Sequence, residues 1–465
     1  MKKNMYSVKE VMESKSLAVI GASHDPGKPG TQLLKMIKNS NFKGKVAGIN
    51  PRGGEVLGFP LYGKPADVPF DIDLAAVIIP PRAIPGALVE CAAKGVKGVV
   101  ITSEGFAEAG PEGRGFQEEV GRILKSSGMR GFGPNTMGIV NTASGLCTAY
   151  FANERMLKPG SVGFAAQSGI FVGALLRFLT SYRSLRVSKA MGLGNKVDVD
   201  ESDALAYLGE DDQTRVVGMY LEDIKDGKRF LHTARRAVKQ KPVLLLKGGR
   251  SDAGARATAS HTASMAVNDA VLGGALRQAG VLRMSGIDEL MATITGFQCM
   301  PLPRGNRIAL VTYSGAQAIM SIDAAAEHGV VPARFSEETR ETIGGVIATP
   351  SKVLNPVDFY PDMMAHGFEK TTVEIFRGLL NDDGVDGIIF ISFAMSDGEM
   401  YRPIVELLDK KRPKPVFFAL LGAKEHVDSC ATYMDENRLP VVLFPEMAVR
   451  VFSHMHAYAR TVGKA

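Results

Sequence analysis

His261 stands in the run Ser260-His261-Thr262-Ala263-Ser264-Met265, entered through the Gly- and Ala-rich stretch from Gly248 to Ala257. Small neighbours leave an imidazole accessible, and glycines let the chain around it move. A neutral imidazole nitrogen can accept a group and give it up again near neutral pH. These residues suit a histidine that carries a group between two sites. They equally suit a surface histidine in a linker, so the rest of the chain has to decide.

A second candidate centre follows the apolar run at 17–20, where Gly21-Ala22-Ser23-His24-Asp25-Pro26-Gly27-Lys28-Pro29-Gly30-Thr31 leads into a helical pattern from about Gln32. Glycines allow backbone N–H groups close to a phosphate, and a helix start adds positive potential. Gly21, Ser23, Lys28, Gly30 and Thr31 are therefore candidate anion ligands, with His24 in the same loop. The second apolar run ends in Asn50-Pro51-Arg52-Gly53-Gly54. A dinucleotide site would carry an acidic residue there for the ribose hydroxyls. Its absence argues against NAD, whereas Arg52 suits a ribose that carries a phosphate, as in coenzyme A or NADP. Pro80-Pro81 would form an apolar wall, and Ser103-Glu104-Gly105-Phe106 and Gly133-Pro134-Asn135 follow later strands. Ligands of parallel sheets bind at these carboxyl ends, so the loops should converge.

A third cluster is Gln167-Ser168-Gly169-Ile170, a strand end running into a helix start that could hold a phosphoryl group. The Ser168 hydroxyl could equally be a simple helix cap. Glu222 closes another apolar run, where a lone charge is costly without a partner. Either it faces an imidazole, or it pairs with Lys225 or Arg229.

These residues need a scaffold, and the bulk composition supplies one. At 465 residues the chain suits about three domains, with 45% hydrophobic and 22% charged residues. The net charge of +6 is spread along the chain, which excludes a nucleic-acid binder but suits an anionic ligand. Cys91, Cys147, Cys299 and Cys430 are scattered and lack metal or disulfide spacing, so no metal ligand set is expected. With neither a signal-like start nor a bilayer-length apolar run, a cytoplasmic protein without membrane contact is expected.

Short apolar runs alternate with amphipathic helical segments, the pattern of parallel sheets covered by helices on both faces. Strands are predicted at 17–20, 46–49, 74–79, 99–102 and 130–132, with helices at 85–94 and 115–126. A second series has strands at 162–165, 186–190, 216–221 and 242–247, and helices at 170–180, 202–208 and 228–238. After the linker Pro301-Leu302-Pro303-Arg304-Gly305, strands follow at 307–312, 387–393, 415–420 and 441–444. The second and third series open alike, with Gln167-Ser168-Gly169 matched by Tyr313-Ser314-Gly315. The expected architecture is α/β: a Rossmann-like domain (1–148) and two flavodoxin-like domains (149–300 and 301–465).

The order of motifs resembles the α subunit of the NDP-forming acyl-CoA synthetases, the succinyl-CoA synthetase superfamily, and specifically its ADP-forming acetyl-CoA synthetase type. The resemblance spans essentially the whole chain. Besides the clusters above it is carried by Gly192-Leu193-Gly194-Asn195-Lys196-Val197-Asp198-Val199-Asp200, Tyr220-Leu221-Glu222-Asp223, Ser260-His261-Thr262 and Asn355-Pro356-Val357-Asp358. It implies that the first domain binds coenzyme A, with Arg52 at the nucleotide and Ser103, Glu104 and Gly105 lining the pocket. It also implies that His261 is phosphorylated, that Glu222 orients its imidazole, and that the Ser168-Gly169-Ile170 helix start holds the phosphoryl group. The acyl pocket would be walled near Met137, Phe171 and Gly173.

Nothing in the sequence looks like an ATP-grasp nucleotide site. The resemblance therefore implies a separate ATP-grasp β subunit, in an α2β2 heterotetramer, that holds ADP or ATP with Mg2+. Free acid and phosphate would be the small-molecule partners. Three departures from the family pattern stand out. Ala263 and Val267 replace glycines after His261, which should stiffen that loop. Thr136 replaces a common cysteine, and Tyr313-Ser314-Gly315-Ala316 replaces a glycine-rich turn. The altered glycines keep open a non-catalytic CoA or acyl-CoA sensor or scaffold. An NADP-linked oxidoreductase would leave His261 without a purpose.

Overall fold

The computed structural model describes residues 6–149, 158–169, 173, 185–262, 268–349, 353–410 and 412–465, and the side chains of 258–262 and 410 lie outside the description. Among the described residues there are three sheets, each dominated by parallel pairs. The first sheet follows a short helix, α1 (Val8–Met12). It comprises β1 (Ser16–Ile20), β2 (Lys45–Ile49), β3 (Gly54–Val56), β4 (Phe59–Tyr62), β5 (Leu74–Val77), β6 (Gly98–Ile101) and β7 (Arg130–Phe132), in the order β3-β4-β2-β1-β5-β6-β7. Helices α2 (Pro29–Asn39), α3 (Ile84–Ala93) and α4 (Pro111–Ser127) lie between the strands in sequence. The central strands β1, β5 and β6 are buried at every position, as both-face coverage requires.

The second sheet comprises β8 (Ile139–Asn141), β9 (Leu146–Cys147), β10 (Val162–Ala166), β11 (Val187–Gly192), β12 (Val216–Leu221), β13 (Val243–Lys247) and β14 (Leu282–Met284). Its order is β14-β13-β12-β10-β11-β8-β9, and β8 joins β11 antiparallel. Its described helices are α5 (Glu201–Glu210), α6 (Gly227–Val238), α7 (Asp252–Thr262) and α8 (Asp269–Gln278). The helix expected over 170–180 lies outside the described residues apart from 173.

The third sheet comprises β15 (Arg307–Thr312), β16 (Val331–Pro332), β17 (Val357–Asp358), β18 (Gly387–Ala394), β19 (Val416–Gly422) and β20 (Val441–Val442). It runs β16-β15-β18-β19-β20, with β17 also on β15. Phe390, fully buried on β18, centres an aromatic cluster with Phe359, Phe376, Tyr401 and Phe418. The chain divides into two compact units, residues 1–284 with the first two sheets and 285–465 with the third.

The α/β architecture with a Rossmann-like domain and flavodoxin-like sheets is as expected. The short pairs β3–β4 and β8–β9, and the two-residue strands β16 and β17, were not predicted, being too brief to show periodicity. One expectation is corrected. The stretch from Gly248 read as a flexible connection becomes helix α7 at Asp252. Alanines at 253, 255, 257 and 259 are the best helix formers and outweigh Gly254. Ser251 starts the helix, its hydroxyl accepting the Gly254 N–H at 3.1 Å.

Inside the first unit, Arg130 at the start of β7 donates from Nε to Asp198 and from its terminal nitrogen to Asp203, both at 2.8 Å. The Gly131 N–H adds a 2.8 Å bond to Asp198. The first sheet is thereby tied to the segment leading into α5. In the same unit, a Cβ at Gly30 would run into the carbonyl oxygen of Gly21, so glycine is what lets α2 start against the end of β1. Gly86, inside α3, faces open space. Gly30→Ala should lower stability by about 1–3 kcal/mol through overpacking, whereas Gly86→Ala should be neutral or raise it by a few tenths. Thermal denaturation of the two variants checks this contrast.

Candidate functional site

The loops at the carboxyl ends of the first sheet do converge, and side chains tie them together. Gly21 has φ +99°, and its N–H donates to Ile49 at 3.3 Å, joining β1 to β2. The Thr31 hydroxyl donates to the carbonyls of Ser23 at 2.6 Å and Asp25 at 2.7 Å, folding the loop back onto the start of α2. Asn50 Nδ2 donates to Ala22 at 2.7 Å, and its Oδ1 accepts the Arg52 N–H at 2.9 Å. His24 Nε2 lies 2.9 Å from the Gly53 carbonyl, a second tie between the same two loops. Ser103 Oγ donates to Ile79 at 2.6 Å, and the Asn135 N–H donates to Ser103 at 2.9 Å.

Thr31, Asn50 and Ser103 were expected to face a ligand, and their polar atoms hold these loops in register. Lys28 and Arg52 are exposed, as are Pro80 and Glu104. Lys28 is the residue before α2, and its side chain makes no cap there. The mouth of this site therefore carries exposed cations over a helix start that lacks a side-chain cap, an arrangement suited to phosphate groups.

Glu108 is a residue that the sequence reading missed. Its Oε1 accepts the N–H groups of Gly105 at 2.8 Å and Phe106 at 3.0 Å, while Oε2 accepts Asn195 Nδ2 at 2.6 Å. Burial alone would push its carboxyl up. The bonds from Phe106, Asn195 and Gly105 prevail and hold it below the ordinary value. Asn195 also donates to Gln117 at 2.8 Å. The motif at 192–200, quoted for its resemblance but given no role, thus anchors the 103–108 loop. Helix α7, which carries His261, packs on the adjoining turn Ala107–Ala109.

The second sheet builds the other side. β10 and β12 pair with Ala166 opposite Tyr220, so the next positions bring Ser168 beside Glu222. Gln167 locks this register: its Oε1 accepts the N–H groups of Glu222 at 2.9 Å and Asp223 at 3.1 Å. Glu222 is 8% exposed and accepts from the Tyr220 hydroxyl at 3.3 Å. Burial and then the Glu222 charge push the Tyr220 phenol up to about 12, so it stays a donor. Arg229 pairs with Asp200 and Asp203, and the Lys225 ammonium donates to the Lys196 carbonyl. Lys196 is itself buried against Glu201 and Asp223.

Gly169 lies three residues beyond β10, and a Cβ there would crowd Met137 of the first domain's last loop. The Ser168-Gly169 turn and the loop Gly133–Gly138 are therefore in contact. His261 lies at the C-terminal end of α7, roughly 14 Å along the axis from its first residue. The His261 side chain, Ile170, Phe171 and the glycine replacements Ala263 and Val267 lie outside the described residues.

Because Glu108 has a depressed carboxyl, its contribution to stability is present above the ordinary value of 4.5 and is lost as pH falls through its lower folded-state value. Acid titration of stability should therefore show a shallower fall in Glu108→Gln than in the unaltered chain. The variant should also bind nucleotide thioesters more weakly, since its amide can still accept from the Gly105 loop but no longer from Asn195. Chemical denaturation between about pH 6 and 3 measures the first effect.

Residues 15–142 match the CoA-binding domain family, and residues 159–297 match the succinyl-CoA ligase-like flavodoxin domain family. The chain is 34% identical to the ADP-forming acetate–CoA ligase II subunit alpha of Pyrococcus furiosus, over 97% of each chain. It is 36% identical to the ADP-forming acetate–CoA ligase II of Archaeoglobus fulgidus, covering 97% of this chain and 67% of that longer one. Among solved structures, the dinucleotide-forming acetyl-coenzyme A synthetase 1 of Ca. Korarchaeum cryptofilum, in complex with phosphate and ADP, superposes with a TM-score of 0.91. That match is at 29% identity and covers 98% of each chain. No described helix is long and apolar enough to cross a membrane. With tied carboxyl-end loops on one sheet and a buried glutamate on the next, and such relatives matching 97% of it, the chain belongs to the NDP-forming acyl-CoA synthetase family as a counterpart of its ADP-forming α subunits.

Proposed function

We propose that this chain, with an ATP-grasp β subunit, interconverts acyl-CoA, phosphate and ADP with free acid, CoA and ATP. The supporting observation is the pairing of two features in one compact unit. Glu222 is buried beside the Ser168-Gly169 turn, and the helix carrying His261 packs next to the Ser103–Phe106 loop. Coenzyme A lies over the carboxyl ends of the first sheet. Lys28 and Arg52 meet its phosphates; Gly21, Ser23, Gly30 and Asn50 shape the cradle; Pro80, Ser103, Glu104, Gly105 and Asn135 line the way to the thioester.

Phosphate, held by the Ser168-Gly169-Ile170 helix start and the Nε2 end of the Gln167 amide, attacks the thioester carbonyl carbon. The C–S bond breaks, CoA leaves as thiolate, and an acyl phosphate forms. A neutral nitrogen of His261 then attacks phosphorus, the bond to the acyl oxygen breaks, and the acid departs. Glu222 takes the imidazole's other N–H, fixing the tautomer and balancing the positive charge that develops. The phosphoryl group passes from the histidine to ADP on the partner, where Mg2+ accompanies the nucleotide. Covalent relay divides one difficult transfer into easier steps, and the protein's contribution is positioning and charge neutralisation. The assembly is α2β2 in this reading.

Incubating the assembled complex with labelled ATP and Mg2+ should place label on His261. His261→Asn should abolish both label and turnover, and Glu222→Gln should slow labelling by about a hundredfold. Ordinary turnover by His261→Asn would overturn the relay.

A further inference from the structure

Glu222 is held by its backbone on two sides. Gln167 takes its N–H from β10, as described, and Lys247 at the end of β13 takes its carbonyl. Lys247 Nζ donates to the Glu222 carbonyl at 2.6 Å and also to the carbonyl of Gly248. The lysine is 6% exposed. Its strand pairs with β12 so that Lys247 sits opposite Leu221, and the Gly248 N–H donates to the Leu221 carbonyl at 2.9 Å. A Cβ at Gly248 would press on the Tyr220 hydroxyl at 2.8 Å and on Glu222 Cγ at 3.4 Å. Four residues later α7 begins, after Gly249 turns the chain with φ +67°.

We propose that Lys247 is a positioning residue whose buried ammonium fixes the Glu222 carboxylate and the root of the His261 helix in one geometry. The proposal rests on the phosphohistidine reading and adds what aligns its two halves. An ammonium has three donors on a flexible stem and can bridge two carbonyls that diverge from neighbouring strand ends. A buried charge is costly unless its donors are satisfied, so the lysine holds both carbonyls firmly. The opposite side of the turn borders an open recess of about 510 Å³, lined by Lys247, Gly249, Arg250, Ser251, Gly254 and Asp269. On that side the recess leaves the root of α7 open, and the bonds of Gly248 to Lys247 and Leu221, with the Arg250–Asp269 ion pair, restrain it. Displacing a catalytic carboxylate by an ångström costs rate far more readily than it costs binding.

The test uses the full chain with its partner subunit, carrying Lys247→Met or Lys247→Arg in both the unaltered and the Glu222→Gln backgrounds. Two quantities are read: the rate of His261 labelling from labelled ATP, and CoA affinity by isothermal titration. Lys247→Met should slow labelling roughly a hundredfold with CoA affinity unchanged, and Lys247→Arg should recover part of the rate. In the Glu222→Gln background the same Lys247→Met change should cost less than about threefold, because its effect runs through Glu222. An equal loss in both backgrounds, or an unchanged rate, overturns the positioning role. A Lys247→Met chain that no longer binds CoA is replaced by Lys247→Gln, judged by the same criteria. Failure of the phosphohistidine reading shows separately, as missing His261 label in the unaltered complex.

Discussion

One amide carbonyl governs the geometry of the second sheet's tip. Gln167 Oε1 accepts two successive N–H groups at the end of β12, and those groups have no strand neighbour left to bond. Without that acceptor the N–H groups of Glu222 and Asp223 would be buried or half-buried orphans, a costly state. With it, the backbone of a buried carboxylate is fixed relative to the end of β10. The parallel register of β10, β12 and β13 then decides what else arrives: a serine and glycine on one side, a lysine and glycine on the other.

The same device recurs in the first domain. Thr31, Asn50, Ser103 and Glu108 all use side-chain atoms to bond loop backbone. Parallel sheets leave their carboxyl-end loops without strand partners, so the loops must be satisfied locally. Short polar side chains do this well, and in doing so they pre-arrange the surface that a ligand meets. Polar residues at such positions can thus serve a site by shaping it.

That duality explains what could be read from the residues alone. Alternating apolar runs and helical patterns are long-range signals, and they revealed the parallel sheets. Brief pairs such as β8–β9 carry no period and stayed hidden. The run before His261 misled because glycines at 248, 249 and 254 drew attention from the alternating alanines. Glu222 and Gln167 were each singled out, yet their mutual bond depends on strand register, which no spacing within one segment encodes. Lys247 is the charged end of an apolar strand, and nothing in its neighbours signals that its stem is buried. The grouping of Glu108 with Asn195 joins residues 87 apart in sequence, beyond the reach of local pattern.

The two aspartates that grip Arg130 have a bearing on how such enzymes can diversify. Because that guanidinium ties the first sheet to the segment leading into α5, the two layers are not independent cassettes. A chimera that imports a foreign first layer would remove one cation from the Asp198 and Asp203 cluster at the seam unless the donor supplies a match. A change of the rim loops leaves that joint untouched, whereas a change of the whole layer must rebuild it.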